Sequence, residues 1–424
     1  MATQKVKKVE RNYISSPEEL NAIVDQIGAE TENPPVSLDR GSYVQGSLSL
    51  GSLLLDLITG GGVPPGKITK VFGPEGSSKS TAAGHTIASA TSASIPVFYF
   101  DHEASADAKY FSALGAKIRM ADGSKNPNFH YYQPDTAEQT YRTMAQILRV
   151  LPNYVPIEGG RPKPQALFVI DSIASMLPES VEEDDEKVRM AAAASVHSQF
   201  LPVIKTKLGR KNVSLFATNQ TRLNPGAMFG NPEYEPGGQA WRFYPDLNFR
   251  LSAVKKPFME RNRFMRFINV STKKNKQFPP FLESEETLAV AFGRGYERGR
   301  DSKGYLTMTG QISGTSRKVI QFVTDKDYSW NNEAYSSEED LMKVLCSNEF
   351  RAACREQLQT DVPYKLFFSS NNWADLYSDF DEEAVADEPL VASSSEEEEA
   401  PVVHQKRGRK PKIISEAAQE ISLA

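Results

Sequence analysis

Cysteine is almost missing from this chain: Cys346 and Cys354 are the only two among 424 residues. Two thiols cannot build a disulfide framework or a four-cysteine zinc site, and their spacing puts both near one face of a helix, so they read as core filler. Long apolar runs are missing as well. No stretch approaches the ~20 consecutive apolar residues that cross a bilayer. Met1–Arg11 is basic but lacks the apolar segment of a secretion signal, and the expectation is a cytoplasmic protein with no membrane partner. No internal repeat is present. Basic residues vanish locally: Asp375–Ala400 holds eleven acids and no Lys or Arg. Beyond it, Lys406, Arg407, Arg409, Lys410 and Lys412 outweigh Glu416 and Glu420 by three charges. Against a net charge of −5, this leaves residues 1–374 at about +3. The body is mildly basic and the tail carries the acid, so overall acidity does not exclude a nucleic-acid partner.

What is present is a 39% hydrophobic chain, long enough for two folded units and a tail. Its organising stretch is Ile68–Thr81, an apolar run feeding a glycine-bearing turn that ends in Lys-Ser-Thr before an alanine-rich segment. It reads as a phosphate-binding loop. Such a loop needs a buried strand as anchor, a turn whose successive N–H groups converge, a lysine for the outer phosphates and a hydroxyl for Mg²⁺. Ile68–Phe72, the turn Gly73-Pro74-Glu75-Gly76-Ser77-Ser78, Lys79 and Ser80 fill these posts, with Thr81 following. The usual pattern, G-x-x-x-x-G-K-[ST], has glycine directly before the lysine, where this chain has Ser78. A positive φ at Ser78 would cost ~1–3 kcal/mol, unless Gly76 takes up the turn instead.

Short continuous apolar runs alternate with helical patterns on either side of the loop. Ile95–Phe100, Ala166–Ile170 and Val213–Thr218 read as buried strands, separated by a helix over roughly Ser80–Ala93 and another capped at Asp135–Glu138. The expectation is an α/β fold with a mainly parallel sheet flanked by helices. Ligands in such sheets sit at the carboxyl ends of the strands, where Gly73, Asp101, Glu103, Asp171 and Gln220 fall. Asp246–Val254, Arg263–Thr272 and Glu285–Phe292 read as longer strands of a meander extending the sheet, and Gly293–Gly304 as a boundary. The divisions expected are an N-terminal arm over 1–45, a core over 46–295, a small α/β domain over 296–372 and a disordered acidic and basic tail over 373–424. In the arm, Leu20, Ile23, Val24 and Ile27 form one apolar stripe after a cap at Ser16, and an arm without its own core docks elsewhere.

Hydrolysis of a nucleoside triphosphate needs a metal-side carboxylate and a group that aligns or deprotonates water. Asp171, at a strand end, suits the first task beside Ser80, and Glu103 the second. Asn219-Gln220 could sense the terminal phosphate through an amide. Thr221–Gly238, punctuated by glycine and proline, is longer than a compact domain needs, and such loops are generally functional or disordered.

Taken in order, these motifs resemble the bacterial homologous-recombination ATPase family RecA from about Gly46 to Gly295. The resemblance is carried by Gly46–Leu50, Gly73-Pro74-Glu75 with Lys79-Ser80-Thr81, Asp101-His102-Glu103 and Ile170-Asp171-Ser172. It continues through Asn219–Arg222, Met228–Glu233, Gly237-Gly238, Phe243-Tyr244 and Lys274-Asn275-Lys276. It implies ATP and Mg²⁺ as cofactors, Glu103 as the carboxylate that activates water, Asp171 as the metal-side acid and Gln220 as the γ-phosphate sensor. Asp107 and Tyr110 fall where the family holds adenine, and Lys274 and Lys276 where it reaches the neighbouring subunit's phosphates.

The resemblance also implies two DNA-binding loops. The first is Glu182–Arg189, before a helix starting near Met190, with Arg189 and Met190 as candidate contacts. The second contributes Arg222, Leu223, Pro225, Gly226, Phe229, Gly237 and Gly238, with Pro225 as the wedge between bases. The five acids Glu182–Glu186 run against a DNA-facing role for the first loop. Ser78 and Asn224 mark a divergent branch, consistent with a phage-encoded member. The activity implied is ATP-dependent strand exchange in recombination and repair. Its partners would be single-stranded DNA, a homologous duplex, further copies of the chain in a helical filament, and a single-strand-binding protein or loader. Two alternatives stay open: a ring helicase or branch-migration motor on the same core, and a non-hydrolysing DNA-binding mediator.

Overall fold

The computed structural model describes residues 16–30, 46–155, 163–180, 186–223, 233–254, 257–260, 263–284, 287–309 and 343–359. One sheet dominates it. Six strands are parallel, in the spatial order β8 (Leu247–Ala253), β1 (Ile68–Gly73), β5 (Val213–Gln220), β4 (Ala166–Asp171), β2 (Val97–Asp101) and β3 (Phe129–Tyr132). An antiparallel flank continues from β8 through β10 (Arg263–Asn275) and β11 (Leu288–Ala291) to β12 (Gly295–Tyr296), with β9 (Phe258–Glu260) also on β10. β1 and β4 are buried at every residue, because helices cover both faces.

On one face lie α2 (Leu53–Thr59) and α3 (Lys79–Ser92), which pack on Val71, Val97, Val169 and Phe249. On the other, α5 (Ala137–Val150) and α6 (Glu186–Lys211) cover Ile68, Phe168 and Leu215. The alanine-rich sequence of α3 serves close approach. A Cβ on Gly84 would come within 2.5 Å of Leu114 Cδ1, the residue after α4 (Ala108–Ala113). The cap expected at the start of α5 is made by Thr136, whose hydroxyl accepts from the Gln139 N–H at 3.2 Å.

Two expectations shift. The sheet extension is not a pure meander, because β8 pairs in parallel with β1 before the antiparallel strands begin. α6 starts at Glu186, so Arg189 and Met190 lie in its first turns and not in a loop before it. Through residues 293–308, β11 turns into β12, and α8 (Arg298–Met308) buries Asp301 and Tyr305.

α8 and α9 (Asn348–Gln359) join α2 in a separate cluster of Leu53, Leu57, Tyr305, Leu306, Phe350 and Cys354. Asp301 fixes it. Its carboxylate accepts from the Leu53 N–H at 2.9 Å and Ser52 Oγ at 2.5 Å, and is paired with Arg351 at 2.7 Å. The charge thus serves the free N–H groups at the start of α2 and meets a buried guanidinium. One turn on, burial pushes the Asp56 carboxyl up to about 7, while its hydrogen bonds to Ser49 and the Leu50 N–H pull the other way. In the arm, α1 (Pro17–Glu30) has Leu20, Ile23 and Ile27 exposed. The acidic tail and residues 360–372 lie outside the described residues. No helix among the described residues is long and apolar enough to cross a membrane.

Candidate active site

β1 ends in the loop Gly73–Ser78, and α3 begins at Lys79. Gly76 does not take up the turn instead of Ser78, because both are left-handed: Gly76 has φ 67° and Ser78 φ 69°, ψ 27°. Ser78 therefore carries strain of about 1–3 kcal/mol. Lys79 Nζ folds back on the loop, donating to Gly73 O at 3.0 Å and Pro74 O at 2.8 Å, with Ser77 Oγ at 3.5 Å. Burial lowers the pKa of this ammonium, against the opposing charges of Asp171, Glu103 and Glu75. A buried cation hydrogen-bonded only to neutral oxygens, at the mouth of a convergent N–H loop, fits an anionic phosphate group.

The acids gather at the neighbouring strand ends. Glu103 Oε1 accepts from Ser172 Oγ at 2.5 Å and from Gln220 Nε2 at 3.1 Å, so one carboxylate oxygen ties the ends of β2, β4 and β5. Asp171 is buried and accepts from Thr218 Oγ1 at 2.5 Å and Tyr99 OH at 3.2 Å. Burial raises its pKa, the nearby charge of Glu103 adds to the rise, and the Ser80 hydroxyl is among the hydrogen bonds that oppose it. Ser80 and Asp171 together form an all-oxygen donor pair, the chemistry that suits Mg²⁺.

Asp101 has a different task. It accepts from the Glu103 N–H at 3.1 Å, the Ala106 N–H at 3.0 Å and Tyr131 OH at 2.9 Å. It holds the turn that presents Glu103. His102, between the two acids, is neutral: burial lowers its pKa to about 4 and its ring bonds Thr140 at 2.8 Å.

A cleft of about 420 Å³ collects Lys79, Ser80, Glu103, Asp171 and Gln220 with Glu75–Ser78 and Thr81. Tyr110 also lines it, its hydroxyl 2.7 Å from Thr81 Oγ1. Asp107 does not: it caps α4, accepting from the Lys109 N–H at 2.8 Å. Lys274 and Lys276 lie apart from this cleft, with Lys274 Nζ donating to Phe243 O at 2.6 Å and Lys276 paired to Asp246 at 3.4 Å. Two groups at the site have no signal of their own in the sequence: Ser172, which donates to Glu103 without lining the cleft, and Arg266, which lines it from β10, where an arginine looks like a solvent face.

The second long loop leaves β5 through a short hairpin, β6 (Arg222–Leu223) against β7 (Glu233–Tyr234). Pro225, Gly226 and Phe229 lie outside the described residues, as do the side chains of Glu186, Arg189 and Leu223 and residues 182–185 of the acidic run. Arg222, Met190, Gly237 and Gly238 do come together around a cavity of about 460 Å³, with Ile173 and Ala194. Both glycines are left-handed, and a Cβ would come within 2.7 Å of Ile173 at Gly237 and 2.6 Å of Ala194 at Gly238. Packing alone therefore requires glycine at both positions. The loop exit is anchored by Arg250 to Glu233 at 2.8 Å, by an ion pair from Lys70 of β1 to Glu235, and by Asn219 Nδ2 donating to Pro236 O at 2.9 Å.

The profile of the family described as RecA N-terminal domain matches residues 37–297. The chain is 34% identical over 254 residues to Protein RecA of Aquifex aeolicus, covering 59% of this chain and 66% of that protein. It is 32% identical over 282 residues to Protein RecA of Rubrobacter xylanophilus, covering 66% and 74%. With Protein RecA of a Nostoc species the identity is 28% over 345 residues, covering 81% and 88%. A solved structure described as that of the RadB recombinase aligns at a TM-score of 0.40 and 20% identity, over 59% of this chain and 98% of that one.

Proposed function

The chain belongs to the RecA family, and from that premise we propose that it is a DNA-dependent ATPase that drives homologous strand exchange. The observation that carries the reading is Glu103, its Oε1 shared between Ser172 and Gln220 beside the phosphate-loop lysine. A carboxylate so held has fixed direction before any substrate arrives, the requirement for a base that must meet an in-line water.

In this reading the loop amides and Lys79 bind the triphosphate, and Tyr110 and Asp107 receive the adenine. Ser80 and Asp171 hold Mg²⁺, which when bound neutralises charge on the phosphates. Glu103 takes the proton of the attacking water. The Gln220 amide exchanges Glu103 for the terminal phosphate, and Asn219, one residue away, hands that change to the loop exit at Pro236. Lys274 and Lys276 complete the site of an adjacent copy, so ATP joins copies in a filament and hydrolysis loosens them.

Arg189, Met190, Arg222, Leu223, Pro225, Gly226, Phe229, Gly237 and Gly238 form the single-strand surface, and homology is read by base pairing to an incoming duplex. Residues 1–45 serve as the docking arm, 46–295 as the motor core, 296–372 as a small accessory domain and 373–424 as an acidic tail. The test is phosphate release with Mg²⁺ and ATP, with and without single-stranded DNA. Stimulation by the strand is expected. A chain that binds nucleotide but never releases phosphate would instead be a non-hydrolysing mediator.

A further inference from the structure

We propose that Arg266 is a positioning residue of the phosphate loop, holding the turn in its nucleotide-binding shape in place of the glycine that the usual loop pattern has before the lysine. The inference rests on the nucleotide-site reading above. Its first observation is the pair of left-handed residues two positions apart, Gly76 and Ser78. A serine at the second of these favours relaxation to an ordinary negative φ, which would turn the adjoining peptide and swing its N–H away from the loop centre. Some contact must oppose that relaxation.

Arg266 supplies it. From β10, 190 residues along the chain, its Nη1 donates to Gly76 O at 2.6 Å. The guanidinium lies 6.0 Å from the Phe292 ring centroid, and Phe292 packs on Phe264 with centroids 5.0 Å apart. Its Nε is buried and has no hydrogen-bond partner among the described residues, so the group retains donor capacity while lining the cleft. The φ of +67° is what calls for glycine at position 76, and a Cβ there would also lie 2.4 Å from Arg266 Nη1, so the tip of that side chain would have to shift. Compared with the usual pattern, the glycine has moved two places toward the strand, and Arg266 occupies the space this opens. The two changes form one device, in which Gly76 admits the guanidinium and the guanidinium steadies Ser78.

A thermodynamic cycle tests this on the full-length chain, reading equilibrium binding of a fluorescent ATP analogue with Mg²⁺ to wild type, Arg266→Ala, Arg266→Lys, Ser78→Gly and the Ser78→Gly/Arg266→Ala double variant. The alanine variant is expected to bind about tenfold more weakly than wild type, while lysine, which keeps one donor and the charge, recovers most of the loss. In the Ser78→Gly background the alanine change should cost no more than about twofold, because glycine takes the left-handed turn unaided. An ordinary surface hydrogen bond would give the same small loss in both backgrounds, and that result overturns the inference. So does alanine-variant affinity within about twofold of wild type. A wild type that does not bind the analogue removes the nucleotide site itself, and the inference with it, which is a different outcome from a wild type that binds and an Arg266 that does not matter.

Discussion

Gln220 Nε2 donates to Glu103 Oε1 at 3.1 Å, joining the end of β5 to the turn after β2 across the strand that lies between them. On the reading that Glu103 is the base, the contact pairs base and amide with each other until a ligand draws one of them away. Glu103→Gln keeps the shape and the hydrogen bond from Ser172 but removes the base. Steady-state phosphate release should fall at least about 100-fold while ATP-analogue binding stays within about threefold. Lys79→Ala should abolish binding itself. Rapid turnover by the glutamine variant would take the base assignment away from Glu103.

Lys70 and Glu235 form an unequal ion pair: the lysine side chain is 1% exposed and the glutamate 29%. Removing either end should have different costs. Glu235→Ala strands a buried ammonium, whose pKa burial already lowers, and should destabilise the chain by about 3 kcal/mol. Lys70→Met leaves a carboxylate that water can reach and fills the same volume, so its cost should stay below about 1.5 kcal/mol. Denaturant unfolding of the two variants decides, and equal losses would contradict the burial asymmetry.

Arg222 is exposed at the start of the hairpin that carries the second loop. If it meets a phosphate of a single strand, Arg222→Ala should reduce the slope of log affinity against log salt by about 0.7, the value for one released counterion. It should weaken binding evenly across sequences. Fluorescence anisotropy with poly-pyrimidine and mixed oligonucleotides over a salt series measures both, and an unchanged slope would remove Arg222 from the phosphate contacts.

The central strands were legible because both of their faces are buried, which makes β4 a continuous apolar run and β5 nearly one, while β1, interrupted by Thr69 and Lys70, was legible from the glycine-bearing turn it feeds. The site was legible because its residues follow those runs directly: Gly73, Glu103, Asp171 and Gln220 each sit at or just after a strand end. β3 was missed, since Phe129–Tyr132 is a half-exposed edge strand of aromatics and histidine with no alternation to mark it. The parallel pairing of β8 with β1 depends on contacts some 180 residues apart, as the Asp246 carboxylate on the Ile68 N–H illustrates with a separation of 178. No local pattern encodes that partner. Arg266 was hidden for the same reason, because its meaning appears only when β10 has been laid beside the loop.

Asp56 gives a prediction whose sign is set by burial. Its folded pKa is raised from 3.8 to about 7, chiefly by desolvation, with the Asp301 charge adding and Ser49, the Leu50 N–H and Arg355 opposing. Between about pH 4 and pH 7 the folded chain holds a proton that the unfolded chain has lost. The contribution of this group is therefore complete at the acid end and declines as pH rises through that window, becoming flat above it. His102 works in the opposite sense. Its folded pKa is lowered to about 4 by burial, so its contribution is complete above about 6.5 and is lost on acidification. His85 and His197, also lowered by burial to about 4, act in the same sense as His102, so the raw stability curve mixes several groups and only a difference isolates Asp56. Asp56→Asn keeps an acceptor for the Leu50 N–H and stays neutral at every pH. The gap in unfolding free energy between variant and wild type should move in favour of the variant by about 2 kcal/mol or more from pH 5 to pH 8. A gap that does not change with pH would mean that Asp56 is ionised in the folded chain throughout, held so by Arg355.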